Sequence, residues 1–231
     1  MADALTRDPE WNQEVMERDP LALLEHVYRR YGPEVTLASS FGAEDVVLVD
    51  MACQVTAAPE VFCLDTGLLF PETYALIERI VARYPIRYRA VQPRLSVAEQ
   101  ASEFGPELWA RDPAACCGLR KVEPLLRALD SKRAWITGIR RDQSPTRKNA
   151  QLMEWDDAHD LVKVNPLAYW SHEMVWEYIK RHGLDYNPLH DHHFPSIGCV
   201  PCTRAVEPGE PLRSGRWAGF EKTECGLHSG S

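Results

Sequence analysis

The sequence predicts an α/β fold: a mostly parallel twisted sheet with helices on both faces, followed by a C-terminal segment of different character. Two observations predict it. Short apolar runs alternate with stretches of helical period between Pro20 and His182, and such alternation requires crossover connections between parallel strands. Beyond Gly183 the periodicity fades and Pro, Gly and His accumulate, which suits a segment held by side-chain or metal contacts.

Each element has a local reason. Leu21, Leu24, Val27, Tyr28 and Tyr31 recur at helical spacing, so Pro20 to Tyr31 reads as a helix. Val35 to Ser39 is a buried strand that ends in small polar residues. Asp45 to Cys53 is apolar enough for a core helix, and Val61 to Leu64 is a second strand. Pro71 suits a first helical turn, where a missing N–H costs nothing, and that helix runs to about Tyr84. Ile86 to Val91 is a third strand, and Ser96 with Glu99 forms a capping box for the next helix. Ala134 to Gly138 is a fourth strand and Leu161 to Val164 a fifth, before Ser171 caps a helix ending at His182. No repeat or low-complexity linker divides the chain, so residues 1–231 read as one domain. Within it, 19–205 form the α/β core and 206–231 a mobile C-terminal segment.

Composition excludes several classes. A net charge of -8 argues against a non-specific nucleic-acid binder, while leaving room for local basic patches that bind small anions. The N-terminal residues lack the apolar core of a secretory signal, and no stretch approaches the roughly 18 apolar residues of a membrane helix. Seven cysteines without such a signal point to a reducing compartment and to metal or catalytic use. The expectation is a cytoplasmic enzyme.

The cysteines divide by spacing. Cys116-Cys117 and Cys199-Val200-Pro201-Cys202 supply two close pairs of thiolates from distant segments, which reads as one iron–sulfur or zinc site. Regular tetrahedral zinc sites leave residues between paired ligands, so the adjacent pair favours a cubane with separate iron corners. Cys225 stands alone near the C-terminus and reads as a reactive thiol. Cys53 and Cys63 lie in apolar runs and read as core residues.

In open α/β sheets ligands sit at the carboxyl ends of strands. After the first strand comes Ser39-Ser40-Phe41-Gly42-Ala43-Glu44-Asp45, whose small residues let backbone N–H groups approach an anion beside a helix N-terminus. It does not match the Walker pattern, which argues against a standard ATPase. After the second comes Leu64-Asp65-Thr66-Gly67, where the acid suits a ribose or an adenine amino group. The fourth strand leads into Gly138, Arg140, Arg141 and Arg147, while Lys121 follows the cysteine pair and Arg213 and Arg216 lie near the tail. That much positive charge in an acidic chain suits a phosphate- or sulfate-bearing ligand.

These pieces, in order, resemble a family. SSFGAED, LDTGLLFPETY, CCGLRKVEPL, TGIRRDQSPTR, YNPLHDHHFPSIGCVPCT, RSGRW and ECGLH run over nearly the whole chain from Ser39, and together they resemble the iron–sulfur branch of the assimilatory sulfonucleotide reductases. The double cysteine, the C-x-x-C and ECGLH carry the specificity. The resemblance implies an adenine nucleotide α-hydrolase-like fold, a [4Fe–4S] cluster on Cys116, Cys117, Cys199 and Cys202, adenosine 5′-phosphosulfate as substrate and thioredoxin as reductant. It implies that Ser39, Ser40, Gly42, Asp65 and Thr66 line the nucleotide pocket. Lys121, Arg213 and Arg216 would lie near the phosphosulfate, with Gly138, Arg140, Arg141 and Arg147 as further substrate-binding candidates. Cys225 would be the nucleophile, carried by a catalytic tail, and His228 a surface histidine near it. The first residues, to about Arg18, carry no signal, and His192 and His193 stand where a glycine-containing stretch is expected. His190, His192 and His193 read as a polar loop near the ligand site in preference to a metal tract. No nucleic-acid or membrane partner follows, and a homo-oligomer is compatible with the reading. The rivals are a 3′-phosphoadenosine 5′-phosphosulfate reductase or dual-substrate enzyme, an ATP pyrophosphatase of the same fold, and a zinc-stabilised nucleotide-binding module.

Overall fold

In the computed structural model, which describes residues 13–222 and 224–227, the chain builds one sheet from β1 (Val35–Ala38), β2 (Glu60–Leu64), β3 (Arg87–Val91), β4 (Ala134–Ile136), β5 (Met153–Asp156) and β6 (Leu161–Val164). The strand order is β3-β2-β1-β4-β6-β5, parallel throughout except for the β5–β6 pair. The principal helices are α1 (Gln13–Arg18), α2 (Pro20–Tyr31), α3 (Ala43–Val55), α4 (Pro71–Arg83), α5 (Val97–Phe104), α6 (Leu108–Arg111), α7 (Pro113–Cys117), α8 (Glu123–Leu129) and α9 (His172–His182).

Alternation along the strands separates two apolar layers. Val61 and Cys63 of β2, with Ala134 and Ile136 of β4, face the main core with Leu23 and Val27 of α2, Val46 of α3, Leu76 of α4 and Val175 of α9. Phe62 and Trp135, between them in sequence, face the opposite side with Leu125, Ala128 and Leu129 of α8. A sheet covered on both faces explains why its central strands read as continuous apolar runs.

The caps form as the sequence predicts. Ser96 Oγ accepts from the Glu99 N–H at 3.1 Å and the Glu99 carboxylate accepts from the Ser96 N–H at 2.8 Å. Ser171 caps α9 through the Met174 N–H. Three features depart from expectation. The strand at Leu161–Val164 is the sixth, because Met153–Asp156 forms an antiparallel edge strand against it. The segment before Pro20 holds α1, whose Met16 is buried in the main core. Between α7 and α8, residues Gly118–Val122 form a π-helical turn. Pro124 has no N–H for the Arg120 carbonyl and its ring crowds that carbonyl, so local widening of the helix is the expected relief. Among the described residues, no helix is long and apolar enough to cross a membrane.

Candidate active site

The strand order reverses between β1 and β4, and a deep cleft opens outside their carboxyl ends, where such folds hold ligands. It contains about 1410 Å³ of free space, part of it open solvent. Ser39, Ser40 and Gly42 line one end, with Gly138 and Arg140 of the loop after β4. Lys121, Arg147, Arg213, Arg216 and Cys225 line the other. Asp65, Thr66 and Arg141 lie outside it. Asp65 instead accepts hydrogen bonds from Tyr74, Gln92 and the Gly67 N–H. Arg141 donates to the Ala150 carbonyl and lies 4.0 Å over the Tyr169 ring.

At the serine end the acids are organised before any ligand arrives. The Ser40 N–H and hydroxyl both donate to Asp45 Oδ2, at 2.6 and 2.8 Å. Burial pushes the Asp45 carboxyl up to about 6, against the pull of those hydrogen bonds. Gly138 packs so closely that a Cβ there would overlap the Asp45 carboxylate. Glu44 sits beside it, and although burial opposes its charge, the Arg140 guanidinium holds it below the usual carboxylate range. Arg140 is only 1% exposed and its Nε donates to Glu44 at 2.9 Å, so its charge is spent inside the protein. Two carboxyls in the first turn of α3 suit the hydrogen-bond donors of a nucleoside better than a phosphate.

The other end is cationic. Arg147 and Arg213 both contact the Glu224 carboxylate, at 2.8 and 3.2 Å. Burial, followed by the charge of Arg147, lowers Arg213 to about 10. Arg216 donates to Ser196 Oγ at 3.2 Å and lies 4.6 Å over the Trp217 ring, while its Nε is buried without a partner. An unpartnered guanidinium N–H in a cleft calls for an acceptor from a ligand or water. Desolvation opposes the charge of Lys121, but the neighbouring Cys199, Cys225 and Cys117 side chains more than offset it and hold the ammonium above its ordinary value.

Behind this end, Cys116, Cys117, Cys199 and Cys202 surround a small cavity that shares Lys121 and Trp217 with the cleft. The π-helical turn sets Lys121 one turn beyond the cysteine pair. The Cys199–Cys202 turn is pinned from two sides, by Val200 N–H to the Leu68 carbonyl and Trp217 N–H to the Cys202 carbonyl. Thr66 Oγ1 lies 3.3 Å from Cys199 Sγ, and Gln100 Nε2 lies 3.9 Å from Cys116 Sγ. Arg120, buried, donates both to the Thr66 carbonyl and to Gln100. Burial raises the Cys116 and Cys117 thiols and pushes Cys202 up to about 11. Thiols buried in this way need a cationic centre to be held as thiolates. Among the described residues no group of three or more His, Cys, Asp or Glu side chains is placed to hold a metal ion. An all-sulfur set of four cysteines is of the donor type that iron–sulfur clusters and structural zinc use.

The profile of the phosphoadenosine phosphosulfate reductase domain matches residues 34–205. The chain belongs to this family. A protein of Anoxybacillus flavithermus named adenosine 5′-phosphosulfate reductase is 50% identical, over 92% of this chain and 91% of its own. A protein of Gloeobacter violaceus named phosphoadenosine 5′-phosphosulfate reductase is also 50% identical, over 91% and 88%. Among solved structures, phosphoadenylyl-sulfate reductase from Candida auris superposes with a TM-score of 0.70 at 26% identity, covering 85% of this chain and 98% of its own. The mostly parallel α/β architecture read from the sequence is thus the fold of the family, with Met153–Asp156 as a sixth strand beyond the five that were read.

Within this family fold, several contributing residues escaped the sequence reading. Asp45 was read only as the end of the serine loop and the start of a core helix, yet it shapes the serine end. Trp217 separates cleft from thiol cavity with its backbone at φ 48, and its place in RSGRW was its one signal. His190 lines the cleft with Nε2 buried and unpartnered, whereas His192 and His193 are exposed. His193 adopts φ 64, a left-handed conformation that explains why a glycine is expected in that loop. His228 lies outside the described residues.

Proposed function

We propose that the chain is a thioredoxin-dependent reductase of adenosine 5′-phosphosulfate, releasing sulfite and AMP in sulfate assimilation and cysteine biosynthesis. One observation carries this reading: the Cys225 thiol shares one cleft with the Ser39–Asp45 loop and a cationic end, next to a cavity lined by four more thiols, while Cys63, also on the cleft wall, lies in β2 with its thiol pushed up to about 12 by burial. The names of the relatives support it.

The adenosine occupies the Ser39–Asp45 end, and its phosphosulfate faces Lys121, Arg147, Arg213 and Arg216. The Cys225 thiolate attacks the sulfonyl sulfur, an S–S bond forms, and the S–O bond to AMP breaks. The cationic groups stabilise the charge that accumulates on the departing phosphate. A thioredoxin thiolate then attacks Cys225 Sγ and expels sulfite, and its second thiol releases Cys225. The two electrons come from the thioredoxin dithiol, which becomes a disulfide. Cys116, Cys117, Cys199 and Cys202 would hold a [4Fe–4S] cluster, and Lys121 would link its charge to the substrate. When bound, the cluster supplies a fixed polarising charge and ties two chain segments together. Nothing in this scheme needs a membrane or nucleic acid, and it suits the reducing cytoplasm.

A second reading, reduction of the 3′-phosphorylated nucleotide, is favoured by the name of the Gloeobacter relative. Competing the two sulfonucleotides in one sulfite-release assay separates them. The four-cysteine set predicts preference for adenosine 5′-phosphosulfate. Equal or better catalytic efficiency with the 3′-phosphorylated form would move the chain to the second reading.

A further inference from the structure

The reaction as described leaves Glu224, the residue next to the thiol, without a task. Its carboxylate is one of the best-anchored acids in the molecule. Arg147 donates to both of its oxygens, from Nε at 2.9 Å and Nη2 at 2.8 Å, and Arg213 Nη2 adds a third contact at 3.2 Å. Thr146 Oγ1 donates at 3.1 Å and Ser144 Oγ at 3.5 Å. The side chains of Arg147, Arg213 and Glu224 are 12%, 17% and 21% exposed, so solvent screens these contacts far less than a surface pair. Forked, charge-assisted hydrogen bonds of this kind fix orientation as well as position.

On the far side of Cys225 the chain is anchored differently. Gly226 turns at φ 84, and Leu227 packs against the apolar layer of Phe62, Leu125 and Trp135. The thiol thus lies between an ionic anchor, made by Arg147 of the loop after β4 and by Arg213, and an apolar anchor on the layer shared by β2, β4 and α8. The ionic anchor uses arginines from the cationic end of the cleft, so it registers the tail against the substrate's anion site.

We propose that Glu224 is a positioning residue: its carboxylate docks the tail on Arg147 and Arg213 and so sets Cys225 over the cleft. This rests on the assignment of Cys225 as nucleophile. A thiol already in register needs no search before attack, whereas a loosely held one loses rate without losing substrate affinity.

The test compares the full-length wild type with Glu224→Gln, which removes the charge and turns an amide N–H₂ toward the guanidinium groups, and with Glu224→Asp, which keeps the charge. Three readouts are taken: kcat and KM, the single-turnover rate of adduct formation on Cys225 without thioredoxin, and the iodoacetamide alkylation rate of Cys225 without substrate, located by peptide mass mapping. Loss of register predicts that Glu224→Gln slows turnover and adduct formation by about tenfold or more, with KM little changed. Its Cys225 is alkylated several times faster than in the wild type, and Glu224→Asp recovers part of both effects. Unchanged adduct and alkylation rates would overturn the proposal. A lowered KM with unchanged kcat would also overturn it, showing that Glu224 merely competes for the arginines. Absence of any wild-type adduct on Cys225 would overturn the nucleophile assignment and the catalytic role of Glu224 with it, while the alkylation arm would still read docking by itself.

Discussion

Arg140→Met isolates the buried ion pair at the serine end of the cleft. Arg140 is 1% exposed, and Nε and Nη2 both reach Glu44 Oε1 at 2.9 Å, with Asp142 and the Trp170 carbonyl as further partners. Methionine roughly matches the length of the stem but leaves the Glu44 carboxylate, 19% exposed, without its cation, which costs about 3 kcal/mol, the lower end of the range for a buried pair. The Arg133–Glu34 pair is the internal control, since its side chains are 61% and 45% exposed at 3.5 Å, and Arg133→Met should cost under about 1 kcal/mol. The pH dependence has a definite sign. In the wild type Glu44 titrates below its ordinary 4.5, so the pair contributes fully at neutral pH and fades as pH falls through the folded value. In the variant, burial is left unopposed and raises the Glu44 carboxyl, so the penalty is largest at neutral pH and shrinks as the carboxyl protonates. Urea unfolding followed by tryptophan fluorescence, near neutral pH and again at mildly acid pH, reads both effects. A loss under about 1 kcal/mol at neutral pH, or a gap that does not narrow on acidification, would refute the reasoning.

Two further outcomes follow from the other end of the cleft. Serine in place of any one of Cys116, Cys117, Cys199 or Cys202 should lose iron and activity together, checked by metal analysis against turnover. Full turnover in an iron-free variant would remove the cluster from the account. Gly198→Ala places a methyl 2.6 Å from Arg216 Cζ, so the guanidinium must move, and kcat/KM should fall by about tenfold with the fold intact by circular dichroism. Unchanged kcat/KM would mean that Arg216 does not meet the substrate.

What was legible in the sequence was local or chemically unambiguous. The capping box at Ser96, the Ser171 cap, Pro71 and the apolar runs of β1 and β2 depend on near neighbours, so they could be read directly. The two cysteine pairs could also be read, because paired thiols have few structural uses in a reducing compartment. β5 escaped because Met153-Glu154-Trp155-Asp156 offers only two periods of alternation at a sheet edge, and its pairing with β6 supplies the rest. The π-helical turn escaped because Pro124 argues against a continuous helix until packing imposes one. Among the arginines after β4, chemistry is identical and only the path of the loop decides. The Arg141 N–H bonds the Ala168 carbonyl, which directs that residue away from the cleft, while Arg140 is consumed by Glu44. Glu224 could not be paired with Arg147 by inspection across 77 positions of sequence.

The central claim is that Cys225 takes the sulfonyl group. Wild-type enzyme mixed with adenosine 5′-phosphosulfate in the absence of thioredoxin should release about one AMP per active site and stall, as a two-step covalent mechanism requires. Intact-protein mass spectrometry should then show a gain of one SO₃ group, mapped to the peptide that carries Cys225, and Cys225→Ser should show neither gain nor AMP burst. An adduct on another cysteine, or sulfite release by the serine variant at the wild-type rate, would contradict the account.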